Sequence, residues 1–188
     1  MRSRLMVERL LTAARTVLEE SGYDGFSTNR VAQEAGVSPG SLYQYFPDKV
    51  TMVETVIDRW SGEVSDRVAA SFADRVAAAG TSVMRDSADA LVSALEADES
   101  LLRVVWHELP ASRFGDRRAA LERRVRELVT AYLAGGGRPV PDPSATAWVL
   151  VMAVEHVVVR WVLDRPPLSR DQLVGELAAL AEGFVSRG

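Results

Sequence analysis

The chain has no cysteine and one lysine among its 188 residues. Without thiols there is no disulfide framework and no thiolate metal site. The lone lysine, Lys49, stands in an otherwise all-arginine basic set, which reads as genome composition rather than function. Histidine is nearly absent too: His107 and His156 are the only two, each beside a glutamate. Adjacent helical residues point about 100° apart, so neither His107-Glu108 nor Glu155-His156 converges on an ion unaided. The Glu-x-x-His spacing that does share a helix face does not occur. Nor does His-Glu-x-x-His, a phosphate-binding glycine loop or a serine elbow. The expectation is a protein that is not an enzyme, with no metal and no cofactor. No β pattern and no internal repeat appears, so the fold class is all-α. The N-terminus lacks the charged-then-apolar pattern of a secretory signal, which points to the cytoplasm. Excess positive charge is also missing. The net charge is −4, and residues 1–60 carry seven Lys/Arg against eight Asp/Glu.

What is present is concentrated between residues 27 and 46. Thr28 reads as a helix start, because its hydroxyl can accept from free amides of the next turn. Val31, Ala32 and Ala35 follow at helical spacing with small apolar side chains that permit close packing. Gly36 ends the helix where a left-handed conformation is cheap. Ser38-Pro39 starts another, serine as cap and proline at the first helical position. Two short helices across a glycine turn form a helix-turn-helix, the unit that lays its second helix in a DNA major groove. Upstream, Val7, Leu10, Leu11, Ala14, Val17 and Leu18 form an apolar stripe ending at Gly22, followed by Tyr23-Asp24-Gly25-Phe26, a turn with an aromatic plug. Downstream, Phe46-Pro47-Asp48-Lys49 breaks the second helix. A long helix then carries Val53, Val56, Ile57 and Trp60.

This layout resembles the TetR family of bacterial regulators. Its N-terminal motif is matched by Thr28, Val31, Ala32, Ala35, Gly36, Val37, Ser38, Gly40, Leu42, Tyr43, Phe46 and Lys49. The likeness is specific over residues 5–60 and general, in length and helical layout, beyond them. It implies a three-helix DNA-binding domain over residues 1–47 and an effector-binding and dimerisation domain over 48–188, with helix 48–64 as connector.

Groove chemistry assigns roles to the motif. Pro39, Gly40 and Ser41 are small, so the helix start can come close to DNA. Gln44 suits direct readout, since an amide bonds adenine at two points. Thr28 and Lys49 are phosphate clamps, which position without reading sequence; Asn29, Arg30 and Ser38 complete the candidate contact set. Arg2 and Arg4, ahead of the first helix, add further charge. Tyr43 and Tyr45 either reach phosphates or thymine methyls, or are core aromatics. Spacing turns Leu42 and Phe46 inward together, leaves Tyr43 outward and does not settle Tyr45, where the family often has histidine.

Residues 61–188 read as further helices. The apolar stripe continues through Val64, Val68, Phe72 and Val76 to a break at Gly80. Val83, Met84, Ala88, Leu91, Val92 and Leu95 form the next run, and a short segment from Leu101 to Leu109 ends at Pro110. Phe114, Leu121, Val125, Leu128, Val129 and Tyr132 mark a helix closed by Gly135-Gly136-Gly137. Arginines between 113 and 126, interleaved with acids, read as a solvated face. Residues 144–163 are apolar nearly all round, about the length of a membrane span. Glu155, His156 and Arg160 interrupt the run, which favours a soluble helix with one face on its own domain and one on a partner; no membrane association is expected. The final helix, residues 171–185, offers Leu173, Leu177, Leu180, Ala181 and Phe184.

Two such helices per subunit make the four-helix homodimer interface that the resemblance implies. A twofold dimer reads an inverted-repeat operator in double-stranded DNA. The resemblance also implies a small-molecule effector of unknown identity among the C-terminal helices. Its candidate lining is Trp106, His107, Tyr132, Trp148, Met152 and His156, with Trp161, Glu108 and Glu155 beside them; each taken singly reads more readily as plain core. The alternative function is a small-molecule-binding helical protein whose DNA-binding domain is vestigial.

Overall fold

A computed structural model describes residues 2–76, 83–135 and 140–185, and their side chains except at 2, 71–76, 117, 118, 121 and 185. Among the described residues every element is helical: α1 (Arg2–Gly25), α2 (Thr28–Glu34), α3 (Pro39–Tyr43), α4 (Lys49–Val76), α5 (Val83–Ala97), α6 (Glu99–Arg103), a π-helical turn (Val104–Glu108), α7 (Ala111–Gly135), α8 (Pro143–Asp164) and α9 (Arg170–Val185). The break expected at Gly80 and residues 136–139 of the loop beyond Gly135 lie outside the described residues. Arg2 and Arg4 fall inside α1 rather than ahead of it, which corrects the expectation drawn from the stripe.

The chain divides into two compact units. The first comprises Met1–Ser61 and Ser100–Arg117; the second comprises Gly62–Glu99 and Arg118–Gly188. The division falls inside α4, and residues 100–117 join the first unit although they follow α5 in the chain.

In the first unit α1 buries Leu10, Leu11, Ala14, Val17 and Leu18 and packs on α2, where Val31 and Ala32 are buried. Leu101, Leu102, Val104, Val105 and Phe114 are also fully buried. At about 25 cal/mol per Å² of apolar surface, these side chains bind residues 100–117 to the unit. α1 runs through a kink at Gly22, whose φ of 65° and ψ of −179° lie in a region essentially confined to glycine.

In the second unit α5 packs on α8 and α9. Arg170, at the start of α9, ties it to α5. Its guanidinium donates to the Asp89 carboxylate at 2.6 Å, Ser93 Oγ at 2.6 Å and Glu96 at 3.0 Å. α8 buries Ala147, Leu150, Val151, Val158, Val159, Val162 and Leu163 on one side. It leaves Trp148, Val149, Met152 and Val157 exposed on the other. By length and composition alone it is long and apolar enough to cross a membrane; of the two faces the sequence suggested, one is buried within the unit and the other is exposed.

Candidate nucleic-acid interface

The helix-turn-helix is built by three caps and one turn. Ser27, not Thr28, is the N-cap of α2: its extended backbone lets its hydroxyl accept from the Arg30 amide at 3.3 Å. The expectation for Thr28 is corrected by one residue, because two adjacent hydroxyl residues fit the same cap pattern and only the backbone conformation separates them. Thr28 becomes the first helical residue, and its freed hydroxyl meets the Tyr43 hydroxyl at 2.9 Å.

α2 closes with the six-to-one and five-to-two bonds of a Schellman turn. The Val37 amide donates to the Ala32 carbonyl at 2.9 Å and the Gly36 amide to Gln33 at 3.0 Å. Gly36 has φ of 61°, the left-handed state this closure requires. Ser38 then caps α3, accepting from the Ser41 amide at 3.2 Å, with Pro39 in the first turn. Asp48 caps α4 by accepting from the Thr51 amide at 2.8 Å. That backbone bond holds the Asp48 carboxyl below its ordinary range, with Arg113 adding a smaller charge contribution.

The second helix shows its expected faces. Leu42 is fully buried and Phe46 nearly so, while Tyr43 is 50% exposed. Ser38, Pro39, Gly40 and Gln44 are exposed, and Ser41 and Tyr45 are half-buried. A Cβ placed on Gly40 would have only Ser38 Oγ for company, at 4.0 Å. The start of α3 is therefore a bare, small-residue ridge with Tyr43 and Gln44 at its far end. On α2, Asn29 and Arg30 are exposed and Thr28 is half-buried. The Arg30 guanidinium donates to the Gly25 carbonyl at 3.1 Å.

Lys49 is placed differently from its neighbours. Its ammonium donates to the Tyr23 carbonyl at 2.5 Å and lies 4.1 Å from the centre of the Tyr23 ring. A cation so engaged braces α4 against the end of α1. Tyr23, read from the sequence only as part of an aromatic-plugged turn, has a larger role. Its amide donates to the Glu108 carboxylate at 2.8 Å, and its ring meets Phe114 edge-on at 5.5 Å. No local pattern announces these partners, which lie 85 and 91 positions away in the chain.

The residues expected around an effector divide between the two units. Trp106 and His107 belong to the first unit, while Tyr132, Trp148, Met152 and His156 belong to the second. Trp148, Met152 and His156 share the outward face of α8, 51% and 38% exposed for the first two. This corrects their placement in an interior core. Positions four apart do form a stripe, but periodicity does not say which stripe faces in. Within the second unit a groove of about 410 Å³ is lined by Glu96, Glu99, Trp161, Val162, Arg165 and Pro166. Of the large side chains considered, it holds only Trp161.

Known proteins share both halves of this arrangement. Residues 10–56 match the family pattern described as bacterial regulatory proteins, tetR family, and residues 81–184 match the tetracyclin repressor-like C-terminal domain. The chain is 27% identical over 169 residues to the HTH-type transcriptional regulator CymR of Pseudomonas putida, a match covering 86% of this chain and 83% of that one. It is 25% identical over 168 residues to the fatty acid metabolism regulator protein of Bacillus subtilis, covering 83% of each. A TetR-family protein from Mesorhizobium loti superposes with a TM-score of 0.80 at 21% identity, over 100% of this chain and 98% of that one. FadR of Bacillus subtilis, solved with stearoyl-CoA, does so with a TM-score of 0.67 at 18% identity, over 95% and 97% of the two chains. At those identities the two structures speak for the fold and not for a ligand. With one pattern on the helix-turn-helix and the other over more than half of the chain, this protein belongs to the TetR family of transcriptional regulators.

Proposed function

We propose that the chain is a ligand-responsive repressor that binds an inverted-repeat operator as a homodimer in the cytoplasm and carries out no reaction. The carrying observation is the outer face of α3: a small-residue ridge backed by buried Leu42 and Phe46, with Tyr43 and Gln44 presented outward. Gln44 is the base reader. Thr28, Asn29, Arg30, Ser38 and Tyr43 hold phosphates, with Pro39, Gly40 and Ser41 permitting close approach. Tyr45, half-buried, contributes mainly packing. Lys49 braces the fold through Tyr23 and acts on DNA through the position of α4.

Dimerisation is supported by the outer face of α8, where Trp148, Val149, Met152 and Val157 are exposed together with Leu180 of α9. An apolar stripe of this kind is unfavourable in water and asks for a partner. A second copy of the same two helices covers it with closed twofold symmetry. One copy of a five-residue helix reads too few bases; two copies read a palindrome. The net charge of −4 and the balanced head imply modest phosphate neutralisation and a shallow salt dependence. The effector, of unidentified chemistry, acts only through its differential affinity for the DNA-competent and incompetent states.

The test is selection from a random duplex library with the purified full chain. Enrichment of an inverted repeat, lost on Gln44→Ala or Tyr43→Ala, supports the reading. No enrichment from a folded dimer overturns it in favour of a small-molecule-binding protein with a vestigial DNA-binding domain.

A further inference from the structure

The Tyr23 peptide is held from both sides. Its N–H donates to Glu108 at 2.8 Å and its carbonyl accepts from Lys49 at 2.5 Å and from the Phe26 amide at 3.3 Å. Just before it, Gly22 turns α1 through a glycine-only conformation. A Cβ at Gly22 would overlap the Glu108 carboxylate, whose Cδ would lie 3.0 Å away. The kink and the carboxylate therefore fit each other. The last turn of α1 leads directly into Phe26, buried, then into the Ser27 cap and Thr28, whose hydroxyl touches Tyr43 on the DNA-facing helix.

Glu108 ends the π-helical turn Val104–Glu108, which closes with the Leu109 amide on the Val104 carbonyl at 3.0 Å. Such turns are rare and recur at functional positions. By sequence Glu108 lies within the C-terminal family domain, residues 81–184; by contact it belongs to the first unit. A carboxylate supplied from so far along the chain is not required to fold a helix-turn-helix. It does fix the direction in which α1 delivers the chain to α2.

We infer that Glu108 is a positioning residue for DNA binding: by accepting the Tyr23 amide it sets the entry into the helix-turn-helix, and so the attitude of Tyr43 and Gln44 in the groove. The inference rests on the DNA-binding reading above. A carboxylate acceptor makes a strong bond to a backbone amide, and a neutral amide oxygen at the same place keeps roughly half of it. The negative charge itself is not the agent, because no phosphate favours it; the acceptor is.

The experiment compares wild type, Glu108→Ala and Glu108→Gln for affinity to the duplex that wild type enriches. Amide exchange at Tyr23 is followed by NMR in the same three full-length proteins. Glu108→Ala should bind about tenfold more weakly, with faster Tyr23 exchange and an unchanged preferred sequence. Glu108→Gln should stay within about threefold of wild type. Rescue by glutamine separates positioning from a general loss of stability or a change of net charge. Wild-type affinity in Glu108→Ala, or equal loss in both folded variants, overturns the inference alone. A wild type that enriches no duplex overturns the DNA-binding reading first, and the inference with it.

Discussion

The hydroxyls of Thr28 and Tyr43 lie 2.9 Å apart, joining the first residue of α2 to the last of α3 across the outer side of the helix-turn-helix. Tyr43 is half exposed, so this bond does not hold up a core. It fixes the orientation of an aromatic ring that would otherwise sweep through solvent. Tyr43→Phe removes the hydroxyl and keeps the ring. Since a hydrogen bond contributes about 1 kcal/mol net, DNA affinity should fall roughly fivefold, with the melting temperature lowered by no more than about 4 °C. Fluorescence anisotropy with a labelled operator and a thermal melt check both parts.

Gly40 separates fold from function cleanly. The space for a Cβ there is open, with Ser38 Oγ 4.0 Å away and no other close atom. Alanine is a better helix former than glycine by roughly 0.5–1 kcal/mol, so Gly40→Ala should melt no lower than wild type. If the start of α3 lies against DNA, the added methyl weakens binding by about tenfold or more. Equal melting with unchanged affinity would place the backbone of α3 away from the duplex.

The outer face of α8 provides a test of assembly. Trp148 is 51% exposed and makes little use of its own subunit. Trp148→Arg, or Val157→Asp, should therefore leave the helical circular dichroism unchanged. It should weaken dimerisation by at least about 2 kcal/mol. Sedimentation velocity reads the shift toward monomer, and affinity for a two-half-site duplex should fall while that for a single half-site does not.

Arg170 joins α5 to α9 through Asp89, Ser93 and Glu96, which raises its own basicity, first through the Asp89 bond and then through Glu96. Its side chain is 39% exposed, so solvent screening reduces the worth of the pair. Arg170→Met should cost about 1 kcal/mol, and the loss should shrink at high salt. Arg170→Lys replaces a planar fork, whose three nitrogens each reach an acceptor, with one nitrogen and should recover only part. Urea melts at two ionic strengths measure this.

Asp48 titrates in a known direction. The Thr51 amide stabilises its carboxylate, so its folded pKa is depressed below the unfolded one. Its contribution is then complete above the unfolded value and is lost as pH falls through the folded value. Asp48→Asn caps α4 without charge. Wild type should be the more stable at neutral pH, and the two proteins should converge in acid. Parallel curves at all pH values would remove charge from the role of this cap.

The sequence alone determined the parts whose physics is local. Gly36, Ser38 and Pro39 specify a turn and a helix start through backbone conformation and capping, and each stands in the structure where its chemistry requires. The spacing of Leu42 and Phe46 fixed which side of α3 is buried, hence which side is free. Local rules stopped where two adjacent residues satisfy one pattern, as Ser27 and Thr28 do, or where a helix is apolar all round. In α8, position alone did not tell Trp148 and Met152, which face outward, from Leu150 and Val159, which face in. Only tertiary packing decided that residues 100–117 join the helix-turn-helix unit, that Lys49 turns to the Tyr23 carbonyl, and that Glu108 receives the Tyr23 amide. Those contacts join segments tens of residues apart, where the chain's short-range periodicities carry no signal and burial of apolar surface selects the pairing.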